Sequence, residues 1–199
     1  MAVFLPGLVL LTAKPPAGQA VGTVCPDGSC DFTSIQAAID ASQGGDTVSV
    51  APDTYNELIV VPGLTIAVVA QEGPTSTIIS VLGLGNSTVT FHPNASNAQV
   101  TPKGFAVRDG SGTFAIDACR RGGGIAIYHA APAIEKYVLP SNTAEYGGGI
   151  YCDSSSPLKL LAVVLDSNIA NSDNADFDGD GDMAGADIGL MLINWGPCL

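Results

Sequence analysis

Five carboxylates within one twelve-residue stretch carry the clearest chemistry in this chain. Taking Asp176 as position 1, acids stand at positions 1, 3, 5, 7 and 12: Asp176, Asp178, Asp180, Asp182 and Asp187. Gly181 falls at position 6 and the apolar Met183 at position 8. A hard cation the size of Ca²⁺ takes about six to eight oxygen ligands at roughly 2.3–2.6 Å, and alternate residues of a loop that turns sharply at a glycine supply them. The spacing therefore predicts a calcium loop, with Asp182 contributing its backbone carbonyl and Asp187 closing the cage. Ala184 at position 9 has no side-chain oxygen, so water completes the shell, and Asp187 reaches less far than a glutamate would. Both features point to modest affinity, on the order of 10⁻⁴–10⁻³ M. Beyond the loop, Ile188, Met191, Leu192 and Trp195 recur at helical spacing, which predicts an amphipathic helix leaving the site.

A second set of reactive side chains is less ordered. Arg108, Asp109, Asp117, Arg120, Arg121 and His129 fall in or beside the Gly-rich segment DGSGTFAIDACRRGGG. A basic residue that abstracts a proton, or paired carboxylates, would suit cleavage of a polysaccharide. The simplest reading is a solvated turn, and no catalytic residue is assigned. His92 and His129 show no ligand spacing with any cysteine, so zinc is not expected. Cys25 and Cys30 bracket a Pro-Asp-Gly turn, which predicts a local disulfide, and Cys119, Cys152 and Cys198 remain unassigned. The Gly-Gly-Gly runs lack a phosphate-loop Lys and read as tight turns. Two sequons, at Asn86 and Asn94, suit surface turns without arguing for glycosylation.

These residues need a scaffold, and composition bounds it. The chain has 199 residues and a formal net charge of −12, with only seven Lys or Arg to neutralise phosphates, so no nucleic-acid partner is expected. Six of the nineteen acidic residues lie between Asp173 and Asp187, where bound calcium would offset their repulsion. The apolar run from Val3 to Leu11, followed by small residues at Gly18 to Ala20, predicts an export leader over residues 1–20, the alternative being a buried first strand. No other stretch reaches the ~20 apolar residues of a membrane span.

After the leader, DFTSIQAAIDASQGGD predicts a short helix with Thr33 and Gln36 as a capping box, Ile35, Ala38 and Ile39 as its apolar face, and Gly44 as its end. From Asp46 onward, apolar pairs recur with turns between them: Val48 and Val50, Ile66 and Val68, Val89 and Phe91, Phe105 and Val107, Ile125 and Ile127, Ile150 and Cys152. An irregular period near twenty, built from strands of about five residues without interposed helices, predicts a coil stacked on itself. Gly122 to Ile125 matches Gly147 to Ile150 at an offset of 25, and Asn142 matches Asn168 at 26. The added residue is expected between Pro157 and Asn168, in a turn.

The segments FTSIQAAIDAS, GDTVSVAPDTYNE and LTIAVVA resemble the opening of right-handed parallel β-helix proteins of the pectate-lyase-like superfamily, and GGGIYCDSSSP is similar to the Gly-rich coils of its secreted bacterial members. The resemblance runs from about Cys25 to Asn171. It implies a mainly β solenoid over residues 21–171, closed at its start by the helix, with APDTYNE as a turn. It leaves activity open, because the same coil serves lyases, hydrolases, adhesins and stalks. The stretch from Asn174 to Trp195 resembles a dockerin type I repeat, one copy where dockerins carry two, and implies a calcium-binding tail over residues 172–199 with a cohesin-like partner. The tail helix has two readings, a cap on the last coil or a surface for a partner. The expected function is a secreted or cell-surface bacterial protein, non-catalytic, serving display, adhesion or attachment to a carbohydrate or cell-envelope partner. The alternative is a carbohydrate-active enzyme, a polysaccharide lyase or glycoside hydrolase.

Overall fold

A computed structural model of the chain describes residues 20–92, 101–114, 119–153 and 158–171. The described residues are mainly β, with one helix, Ile35–Ala41, among them. One sheet stacks Val21–Val24, Thr47–Val50, Ala67–Ala70, Thr101–Lys103, Ala133–Glu135 and Lys159–Leu161 in that order. A second stacks Asp53–Asn56, Thr77–Ser80, Ala106–Arg108, Val138–Pro140 and Val164–Asp166. A third stacks Ile59–Val61, Val89–Phe91, Ile125–Ile127 and Ile150–Cys152. Every pairing within these three sheets is parallel. The chain visits the sheets in rotation, passing from Thr47–Val50 to Asp53–Asn56 to Ile59–Val61 and back to the first sheet at Ala67–Ala70. A short antiparallel ladder of Thr113–Phe114 with Arg120–Arg121 stands outside that rotation.

Strand patterning follows from the pleat. Thr47–Val50 and Ala67–Ala70 alternate half-buried and buried residues, so Val48, Val50 and Val68 point to one interior. Further round the coil Ile125, Ile127, Ile134 and Leu139 are 0% exposed, each such burial being worth about 1.5–3 kcal/mol. The strands are only two to four residues long, shorter than the expected five, because corners come so often. APDTYNE is correspondingly a turn only at its start: Asp53–Asn56 is a strand of the second sheet.

The stacked register corrects the expected period. Val48 pairs with Val68, whereas Val89 pairs with Ile59 on one side and Ile125 on the other. Apolar pairs that look alike in sequence thus belong to different sheets, and coil length runs from the 20 residues between Val48 and Val68 to the 36 between Val89 and Ile125. Ile125 does stack on Ile150 at the expected offset of 25. The added residue falls between Cys152 and Lys159, an interval that meets the expected one at Pro157 to Lys159. Ile127 pairs with Cys152 at 25, while Ala133 already pairs with Lys159 at 26.

Corners repeat from coil to coil. Lys136 (φ 55°) and Ala162 (φ 54°) occupy equivalent left-handed corners, as do Ser141 (φ 57°) and Ser167 (φ 54°). Next to the second corner, Asn142 is fully buried and its amide is saturated. Its Nδ2 donates to Val107 O (2.9 Å) and to Asn168 Oδ1 (2.9 Å), and its Oδ1 accepts from Gly110 N (3.0 Å). Asn168 repeats the motif one coil on, donating to Leu139 O at 2.7 Å. At the Gly-Gly-Gly corner, Gly123 N donates to Gly147 O (3.0 Å) and Gly124 N to Gly148 O (3.1 Å). A Cβ on Gly123 would collide with Gly148 O, so these glycines permit backbone-on-backbone stacking as well as turning.

The helix closes the first end of the stack with Ile35, Ala38 and Ile39 at 0, 1 and 0% exposure. Its cap differs from the expected Thr33 and Gln36 box. Ser34 is the N-cap, accepting from Ala37 N at 3.2 Å, and Glu57 supplies a carboxylate to Ile35 N (2.8 Å), Gln36 N (3.1 Å) and Ser34 Oγ (2.6 Å). Gln36 instead pairs with the free edge of the third sheet, accepting from Val60 N (2.7 Å) and donating to Val60 O (3.1 Å). The helix ends at Ala41 with Ser42 as C-cap, ahead of Gly44. Beside it, Tyr55 donates to Ala51 O at 2.9 Å, and burial, followed by the charges of Asp53 and Glu57, pushes its hydroxyl up to about 12. Cys25 and Cys30 form the expected disulfide, with Cα atoms 5.3 Å apart.

Candidate functional site

The predicted calcium ligands Asp176, Asp178, Asp180, Asp182 and Asp187, the helical stripe after them, Asp117, Cys198, the Asn94 sequon and leader residues 1–19 lie outside the described residues. Among the described residues, no group of three or more His, Cys, Asp and Glu is placed to hold a metal ion. No helix of the described residues is long and apolar enough to cross a membrane.

The other predicted cluster is split by the coil. Arg108 and Asp109 sit at a corner of the second sheet. Asp109 (φ 64°) accepts from Ser80 Oγ at 2.7 Å and lies 3.3 Å from Arg108 Nε. Arg120 is held by backbone: its Nη1 donates to Gly85 O (2.9 Å) and Ser111 O (3.2 Å), and its guanidinium lies 4.2 Å from the Phe114 ring centroid. A solvated turn would not fix a guanidinium this way. The anchoring follows from the excursion at Thr113–Phe114 and Arg120–Arg121, which brings the arginine beside the Gly85, Ser111 and Gly112 carbonyls.

Arg121 belongs to a different surface, which it shares with His129 of the predicted cluster and with three tyrosines that the cluster did not include. Its guanidinium lies 5.3 Å from the Tyr151 ring centroid and 5.8 Å from that of Tyr146, within cation–π reach. Tyr151 in turn meets Tyr128 at 5.8 Å, with the rings tilted by 47°. Adjacent to Tyr128, His129 turns through a left-handed corner (φ 49°), and Asp153 of the next coil holds it there. Asp153 Oδ2 lies 2.8 Å from His129 Nδ1 and accepts from His129 N at 2.9 Å. Nδ1 is thus engaged by Asp153, and the imidazole side chain is 65% exposed.

Stacking builds this ridge. The bridge between Arg121 and Tyr146 and the pairing of Ala126 with Tyr151 place residues from two consecutive coils side by side. Tyr128, Tyr146 and Tyr151 are half-buried, and the Tyr128 hydroxyl points into the protein, so the ridge offers partly exposed ring surface beside a guanidinium, a group suited to carboxylates. The arrangement can receive the apolar face of a sugar ring and pair with an acid group on it. The cavity of about 210 Å³ beside the helix, lined by Pro26, Ser34, Tyr55 and Glu57 among others, has its carboxylate committed to the helix amides. No protein-family model matches the chain, and no curated protein matches it.

Proposed function

We propose that this is an exported bacterial protein whose coils form a right-handed parallel β-helix of the pectate-lyase-like kind, ending in one dockerin-like calcium repeat, and that it attaches without catalysis to an acidic carbohydrate of a cell surface. The rotation of the chain through parallel sheets supports the architecture, and crossovers between parallel strands are overwhelmingly right-handed. The observation that carries the attachment reading is the ridge of Tyr146, Arg121, Tyr151, Tyr128 and His129 across two coils. For the metal, the donor set itself is the support. Asp176, Asp178, Asp180 and Asp187 would offer side-chain oxygens and Asp182 its carbonyl, and calcium would neutralise the acidic tail and fix its fold. A cohesin-like protein is a further partner that the repeat would suit.

Calcium titration tests the tail. Ca²⁺ at about one hundred times its dissociation constant raises stability by roughly 2.7 kcal/mol where binding is coupled to folding. The expected result is a calcium-dependent rise in melting temperature that Asp176→Ala with Asp180→Ala abolishes. A variant that titrates like the parent would remove the site.

A second reading, a lyase or hydrolase acting on the same class of polymer, is favoured by one observation: an exposed imidazole, His129, is held through its Nδ1 by the Asp153 carboxylate, an arrangement that suits proton transfer. It requires that His129→Ala abolish release of unsaturated or reducing ends.

A further inference from the structure

The two ends of the stack are finished differently among the described residues. At the first end the helix buries Ile35, Ala38 and Ile39, and Gln36 satisfies the strand edge at Val60. At the other end Lys159–Leu161 and Val164–Asp166 are the last strands of their sheets. Leu160 and Leu165 are only partly buried there, although the residues they pair with one coil below, Ile134 and Leu139, are 0% exposed. The rim of the same coil is apolar too: Leu161, Val164 and Ile169 are 61, 54 and 52% exposed. A terminal coil of a solenoid that presents leucine inside and out, with strand edges ahead of it, is one that must be covered to stay soluble.

The chain itself leaves the stack at that end. Asn171 N still donates to Ala144 O at 2.9 Å, so residues 172–199 start on the open coil. Their sequence carries one apolar stripe, Ile188, Met191, Leu192 and Trp195, and the seventeen residues from Asn171 to Ile188 could extend about 55 Å, more than enough to return across the coil. We infer that residues 188–195 lay this stripe over Leu160, Leu165 and the Leu161–Val164 rim, closing the last coil as Ile35–Ala41 closes the first. The inference rests on the coil ends and not on calcium or an external ligand.

Trp195 is the only tryptophan, so its fluorescence in the full chain reports the contact directly. The expected result is a blue-shifted emission shielded from acrylamide in Ca²⁺. Leu161→Asp with Val164→Asp, which alters exposed residues, should shift that emission to the red and raise quenching severalfold while far-UV circular dichroism stays the same. Ile188→Asp with Met191→Asp leaves the stack untouched and should do likewise, while speeding amide exchange over residues 159–166. Trp195 fully quenchable in Ca²⁺ would overturn the inference. So would emission unmoved by either variant, or a dimer that the rim variant dissociates without moving Trp195, which would assign the coil end to a second copy. A chain in which calcium changes nothing but these variants still expose Trp195 would sink the calcium reading alone.

Discussion

Asn142 shows how much of this molecule depends on single buried amides. Its side chain joins three successive coils, and truncation would strand the Val107 carbonyl and the Gly110 amide away from water. Each such orphan costs about 1–3 kcal/mol, so Asn142→Ala should lose roughly 3 kcal/mol in urea unfolding, and Asn168→Ala, half-buried at the end of the ladder, about 1 kcal/mol. Equal losses at the two positions would mean that the ladder does not work as a chain. Tyr55 adds a pH dependence of definite sign. Its folded hydroxyl is raised from 10.0 to about 12, so the neutral form is favoured in the native state. That contribution is complete below pH 10 and is lost as pH rises through about 12. Tyr55→Phe should flatten part of the alkaline decline in stability while costing about 1 kcal/mol at neutral pH through the lost hydrogen bond to Ala51. Tyr137, buried against Phe105 and also raised, accounts for a further share of the decline.

At the scale of elements, the helix divides what could be read locally from what could not. Its buried face, Ile35, Ala38 and Ile39, follows from spacing alone and is where it was expected. Its cap does not, because the carboxylate that binds its first amides comes from Glu57, more than twenty residues on in the next stretch of coil. Glu57→Ala should therefore destabilise the protein by about 1–2 kcal/mol in thermal or urea unfolding, whereas Thr33→Ala should stay within about 0.5 kcal/mol. The reverse order would restore the local capping box. The strands teach a related lesson. Apolar pairs were legible, but three sheets share one pattern, so the register could be read only where Gly-Gly-Gly-Ile recurs and marks a unique corner, Gly122 over Gly147.

For the whole molecule, a mainly β chain in parallel sheets was visible in the alternation of short apolar runs and turns. The candidate ridge was not, because Arg121, Tyr128, Tyr146 and Tyr151 are separated in sequence and become neighbours only through stacking. The Gly-Gly-Gly-Ile repeat held the one available signal, since Tyr146 and Tyr151 flank its second copy. The acidic loop is legible for the opposite reason: its proposed ligands lie within twelve consecutive residues. The proposed function joins the two, a ridge facing an acidic polymer and a metal-folded tail. It is tested most directly by incubating the full chain with a panel of immobilised and soluble polyuronides in calcium. The proposal predicts saturable retention on at least one polymer, weakened at least tenfold in Tyr151→Ala, with no release of unsaturated or reducing ends. Steady release of such ends, abolished in His129→Ala, would contradict it.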